Sequence, residues 1–209
     1  MTTTAFTIIG RSSSTFTRVT RIFAAELGIP CALEVVRDLK SLQTTDYGDN
    51  PALKVPSLRT PESTWFGALN VCRELARVST RQPRIVWPEM LEGPLLANTQ
   101  ELILQAMSTE VGLIMSGAVE QASTAFHAEK MTRSLAGSLA WLDTHVEAAL
   151  AALPHERDLS YLEVTLFCLL AHLNFRKVMS TAPYERLGRF QAVFGARPSC
   201  AETEYRFDT

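Results

Sequence analysis

Excess positive charge is missing from this chain: 20 Lys and Arg stand against 22 Asp and Glu, a formal charge of -2. Neither nucleic acid nor an anionic membrane surface is therefore an expected partner. Cysteine is sparse and scattered. Cys31, Cys72, Cys168 and Cys200 form no C-x-x-C pair, which argues against a zinc cluster or a dithiol motif and predicts a reducing, cytoplasmic compartment. His127, His145, His155 and His172 share no ligand spacing, so no metal is expected. No apolar run reaches the roughly 18–20 residues of a membrane-spanning helix. The nearest, Tyr161 to Leu173, is interrupted by Glu163, Thr165 and His172 and reads as a buried helix. No internal repeat is evident.

What is present suits a folded chain. Of 209 residues 46% are hydrophobic and 20% charged, enough to build either one large core or two modules of roughly 80–120 residues. The first 25 positions hold Arg11, Arg18 and Arg21, abundant Ser and Thr, and no acid before Glu26, a composition shared with organellar transit peptides. The same stretch also reads as a strand, a loop and a helix of the fold, and that is the reading followed.

Ala5 to Ile9 predicts a short buried strand, and Val19, Ile22, Phe23 and Leu27 recur at helical spacing up to a stop at Gly28 and Pro30. Cys31 to Val36 predicts a second strand, and residues 40–50 a loop or weak helix. Val55 to Leu58 and Thr64 to Phe66 flank a Pro61-Glu62-Ser63 turn, a hairpin. A helix begins at Ala68. A helix between two early strands implies a parallel pair, so residues 1–79 read as a mixed-sheet α/β module. Pro83 and Pro88 punctuate a linker over 80–93, and 94–209 is helical in pattern, with long helices from Leu95 to Ala118 and from Met131 to Leu150. Ser160-Tyr161-Leu162-Glu163 has the form of a capping box at the start of the buried helix.

Five segments then coincide in order: Ser14-x-x-x-Arg18 running to Ala25-Glu26-Leu27-Gly28-Ile29-Pro30; Asn50-Pro51-x-x-Lys54-Val55-Pro56; Ser160 to Glu163; Leu173-Asn174-Phe175-Arg176; and Ala196-Arg197-Pro198-Ser199. Together they make the chain resemble the cytosolic glutathione S-transferases over nearly its whole length. The resemblance implies a thioredoxin-like N-terminal domain, an all-α C-terminal domain, a cytoplasmic homodimer, and glutathione as co-substrate for conjugation to small hydrophobic electrophiles in detoxification. It implies a cis Pro56, with the Val55 backbone pairing with the tripeptide and Lys54, Gly67 and Ala68 in the glutathione site. It places Ser14 at the catalytic serine, with Ser12 and Ser13 in the same loop, while no tyrosine stands in the first strand or loop to serve a tyrosine-type enzyme.

Such chemistry needs a thiolate, and a free thiol with a pKa near ~8.5 is mostly protonated at neutral pH. A hydroxyl donor at a helix N-terminus stabilises the anion. The same serines also serve as helix caps and loop solubilisers, and both roles are open for Ser14. The methionines Met107 and Met115 fall on one face of a predicted helix, where they either line an acceptor pocket or pack a core.

One departure from the family stands out. Its acidic-Ser pair, which holds the γ-glutamyl end of glutathione, is replaced by Gly67-Ala68. Losing the hydroxyl weakens a charged hydrogen bond and lowers affinity about 10- to 100-fold, with the backbone N–H of Ala68, Arg73 or Lys54 as compensating groups. The alternatives to a transferase are a non-enzymatic binding or scaffold protein of the same fold, and a glutathione-dependent isomerase or peroxidase.

Overall fold

The structure, a computed structural model, describes residues 5–116 and 122–208. It divides into two compact units, one made of the chain up to Pro83 together with the residues from Ala196 onward, the other of Arg84–Gly195.

In the first unit the chain runs through β1 (Phe6–Gly10), α1 (Thr15–Glu26), β2 (Cys31–Val35), a 3-10 turn (Thr44–Tyr47), β3 (Ser57–Arg59), β4 (Thr64–Phe66) and α2 (Ala68–Val78). The four strands form one sheet in the order β2-β1-β3-β4. β1 and β2 are parallel, as the intervening helix requires, and β3 runs antiparallel to both β1 and β4. Ile8 and Ile9 of the inner strand β1 are both buried, Ile9 within a cluster with Val36 and Tyr47. This matches a strand covered on both faces. α1 buries Val19, Ile22 and Phe23 and packs against α2, which buries Val71, Cys72 and Leu75. α1 ends as expected: Gly28 takes a positive φ of 67° just past Leu27 and returns its N–H to the Ala25 carbonyl at 3.0 Å.

α7 (Pro198–Glu202) also belongs to this unit, against α1. The segment from Ala196 thus groups with the first unit, although it was expected within a helical domain spanning 94–209. Its anchor is Arg18, only 5% exposed, whose guanidinium donates to the Cys200 carbonyl at 3.0 Å and lies 4.2 Å from the centre of the Tyr205 ring. A buried guanidinium is tolerated only where such partners replace water.

The second unit contains β5 (Ile85–Val86), a 3-10 turn (Pro88–Met90), α3 (Gly93–Ser116), α4 (Ala122–Ala152), β6 (Leu159–Ser160), α5 (Tyr161–Arg176) and α6 (Glu185–Gly195). Within residues 80–93, expected as a linker, β5 pairs in parallel with β6. The helix expected from Leu95 to Ala118 is α3, its last two positions lying outside the described residues. α5 buries 11 of its 16 residues, leaving no solvated stripe. At its start the Glu163 N–H donates to Ser160 Oγ at 3.0 Å and Ser160 Oγ donates to Glu163 Oε2 at 2.6 Å. Arg157 closes the arrangement with two bonds of 2.8 Å to the same carboxylate. The hydroxyl half of the expected capping box forms, and the Glu163 carboxylate is bonded to the Ser160 hydroxyl and clamped by Arg157.

Candidate functional site

Strand register decides what can meet in the first unit. Ile9 of β1 pairs with Ser57 of β3, and Ser57 pairs with Phe66 of β4. The loop leaving β1, the Val55-Pro56 dipeptide entering β3 and the Gly67-Ala68 dipeptide leaving β4 therefore emerge at one end of the sheet. Neighbouring strands lie about 4.8 Å apart, so the three segments are arrayed over roughly 10 Å.

Ser14 is the N-cap of α1 in extended conformation, and its Oγ accepts the Thr17 N–H at 3.2 Å. Thr17 is held close because Gly10 carries no side chain; a Cβ there would run into Thr17 Oγ1. The Arg11 N–H donates to the same Thr17 Oγ1 at 3.4 Å. Ser14 is half-buried, whereas Ser12 and Ser13 are buried and the Ser12 hydroxyl, like that of Thr15, has no hydrogen-bond partner. The first turn of α1 holds no acid to offset the positive end of the helix.

The Val55–Pro56 bond is cis. Ahead of it Asn50, buried, donates through Nδ2 to the Lys54 carbonyl at 2.8 Å and accepts the Ala52 N–H at 3.0 Å. Asn50 thus fixes the bend that delivers Val55, whose own N–H and C=O have no hydrogen-bond partner among the described residues. Lys54 itself is exposed.

Gly67 adopts φ 82° and ψ 147°, a combination that residues with a side chain rarely reach, and its N–H donates to the Pro56 carbonyl at 3.0 Å. A Cβ added here would meet nothing within 4 Å. No side chain caps α2, and the bond from Val71 N–H to the Gly67 carbonyl is the first of the helix, so the amides of Ala68, Leu69 and Asn70 open the helix without intrahelical acceptors. Arg73 stands exposed in the next turn.

Two residues at this end of the sheet escaped the sequence reading. Arg11 follows β1 directly, with its Nε buried and without a hydrogen-bond partner and its Nη1 reaching the Arg37 carbonyl at 3.4 Å. In the sequence it registered only as part of a basic N-terminal composition. Asp208 accepts the Ser12 N–H through Oδ2 at 2.8 Å across 196 positions, a pairing without any local signal.

Other expectations resolve differently. Met107 is fully buried, while Met115 is 46% exposed. Burial pushes the Cys31 thiol up to about 11 and raises that of Cys200, against a weaker opposing pull from Arg18, so neither is a thiolate at neutral pH. His172 is buried in the second unit beside Glu110. Among the described residues no group of His, Cys, Asp and Glu could hold a metal ion, and no helix is long and apolar enough to cross a membrane.

No protein-family model matches the chain, and neither does any curated protein sequence. Solved structures do. A glutathione transferase family member from Pseudomonas fluorescens Pf-5 with bound glutathione aligns over 96% of this chain and 99% of its own, with a TM-score of 0.79 at 19% identity. A glutathione S-transferase from Methylobacillus flagellatus KT with glutathione bound covers 96% and 100%, with a TM-score of 0.74 at 16% identity. A third, from Methylobacterium radiotolerans JCM 2831 in complex with glutathione sulfonate, covers 98% and 97%, with a TM-score of 0.72 at 20% identity. Together with the mixed sheet and helices described above, these likenesses establish that the chain has the glutathione transferase fold, a thioredoxin-like N-terminal domain followed by a helical one.

Proposed function

We propose that this chain is a serine-type glutathione transferase that conjugates glutathione to small hydrophobic electrophiles. The observation that carries the reading is the register Ile9 to Ser57 to Phe66, which gathers the Ser14 loop, the unpaired Val55 backbone and the open N-terminus of α2 at one end of the sheet. Their span of roughly 10 Å is what an extended tripeptide covers. The Val55 N–H and C=O would pair with the cysteinyl unit as an added strand does. The amides of Ala68 to Asn70 would receive the γ-glutamyl carboxylate, and Arg11 or Lys54 would supply a positive partner for a glutathione carboxylate, offsetting the hydroxyl that the Gly67-Ala68 replacement removes.

Ser14 is suited to its role because capping engages a lone pair, not the proton. A hydroxyl has one donor and two acceptor sites, so Oγ accepts from Thr17 and still donates to a sulfur anion. In the reaction the thiol proton leaves to solvent, the sulfur lone pair forms the new S–C bond, and the leaving group departs with the electrons of the broken bond. Each pKa unit by which the site lowers the thiol is worth about 1.4 kcal/mol. A cytoplasmic homodimer acting in detoxification belongs to the same proposal and rests on the resemblance to the family.

A second reading, a binding or scaffold protein without catalysis, is favoured by Gly67, where neither a side chain nor a neighbour fills the space beyond the backbone. Mass spectrometry after incubation with glutathione and an activated aryl halide separates the two. A conjugate formed faster than in buffer supports the transferase, and glutathione binding without any conjugate supports the second reading.

A further inference from the structure

The segment that rejoins the first unit packs along α1 and reaches the loop bearing the proposed thiol site at Asp208. Arg18 lies one turn beyond Ser14 on α1, and its N–H closes the first helical bond to the Ser14 carbonyl at 3.0 Å. Its side chain is held by the Cys200 carbonyl and the Tyr205 ring. Beyond Tyr205 the chain brings Asp208, half-buried, to the Ser12 N–H at 2.8 Å. Ser12 opens the three-serine run, and its amide has no helical acceptor because it precedes α1. Asp208 thereby fixes the backbone two residues ahead of the hydroxyl that must meet the sulfur. Of the charged groups here, Arg21 interacts with Asp208. Arg21 is pulled below its ordinary value first by burial, then by Arg206 and Arg18, while Asp208 acts in the opposite sense.

We propose that Asp208 is a positioning residue for the thiol site: its carboxylate oxygen, accepting the Ser12 N–H, holds the 11–14 loop so that Ser14 presents its proton to the sulfur. The function lies in the acceptor and not in the charge. A negative charge near a thiolate disfavours it, whereas a correctly placed donor favours it, so the two influences move the thiol in opposite directions when Asp208 is changed. This inference rests on the glutathione reading for its catalytic meaning, although the Asp208–Ser12 contact stands without it.

The test compares Asp208→Ala with Asp208→Asn, whose amide oxygen remains an acceptor without charge. The thiol pKa of bound glutathione is read from ultraviolet thiolate absorbance against pH, and kcat and KM are measured beside it. Asp208→Ala is expected to raise the bound thiol pKa and to lower kcat about tenfold with KM changed less, short of the roughly 100-fold that a full ångström of misplacement can cost. Asp208→Asn is expected to restore both. A lowered thiol pKa in Asp208→Ala, an unchanged one, or an Asp208→Asn protein that behaves like Asp208→Ala would each overturn the assignment. If the wild-type protein binds no glutathione, the transferase reading fails by itself, and amide hydrogen exchange at Ser12 decides the contact. Protection in wild type and Asp208→Asn but not in Asp208→Ala upholds it, and equal exchange in all three refutes it.

Discussion

Ser14 Oγ accepts the Thr17 N–H at 3.2 Å, and that one bond makes the residue both the cap of α1 and a hydroxyl with its proton still to give. The two roles respond differently to substitution. Ser14→Ala loses both, so the first unit should be destabilised by about 0.5–2 kcal/mol in denaturant titration and conjugation should fall. Ser14→Asp keeps a good cap but has no proton to donate at neutral pH. It should recover the stability and not the activity. Recovery of both would assign Ser14 to capping alone.

Restoring the family's hydroxyl is the complementary experiment. Ala68 is buried at the first position of α2, where a serine side chain adds a donor for a carboxylate. Ala68→Ser should tighten glutathione binding about tenfold, the equivalent of ~1.4 kcal/mol, as read by competition with a fluorescent probe. No gain would place the γ-glutamyl end elsewhere.

Arg11 supplies a prediction with an ionic signature. Its Nε is buried without a hydrogen-bond partner, so a carboxylate arriving there would gain a charge-assisted bond. Arg11→Met, similar in length but neutral, should weaken glutathione roughly tenfold or more. The salt dependence of binding should flatten with it. A weaker affinity with unchanged salt dependence would indicate a packing role.

In the second unit the Glu110–His172 pair predicts a pH effect on stability. Glu110 Oε1 lies 2.8 Å from His172 Nδ1 with neither side chain more than 3% exposed. Burial pushes the Glu110 carboxyl above its ordinary value, with His172 and Arg176 pulling the other way. A folded pKa above the unfolded one means that the folded state binds the extra proton. This contribution is complete below the ordinary carboxyl pKa near ~4.3 and is lost as pH rises through the folded value. Glu110→Gln removes the titration. Denaturant midpoints should show the variant gaining on wild type as pH rises above the ordinary carboxyl range, and a difference independent of pH would contradict the account.

How much of this was legible in the sequence follows from the range of each interaction. β1, α1, its stop at Gly28 and the 57–66 hairpin are written in local periodicity and turn chemistry, and they emerged within a residue or two of the expected positions. The Ser160 cap of α5 was equally local. The cis Val55–Pro56 bond and the fold came through resemblance, since a Val-Pro pair alone does not specify an isomer. What escaped was long-range. Nothing near Arg18 announces that its guanidinium is sealed by Cys200 and Tyr205, and nothing near Ser12 announces Asp208. The two units part at Pro83, inside the proline-punctuated stretch, whereas the return at Ala196 depends on those same distant contacts. Met107 and Met115 share a helix but not an environment, because spacing fixes a face and not what covers it.

The central claim is that the end of the sheet carrying Ser14, Val55 and Ala68 receives glutathione even without the family's acidic-Ser pair. Calorimetric titration of the unmodified protein with glutathione at neutral pH tests this most directly. The account predicts saturable binding with micromolar affinity; millimolar or undetectable affinity would contradict it.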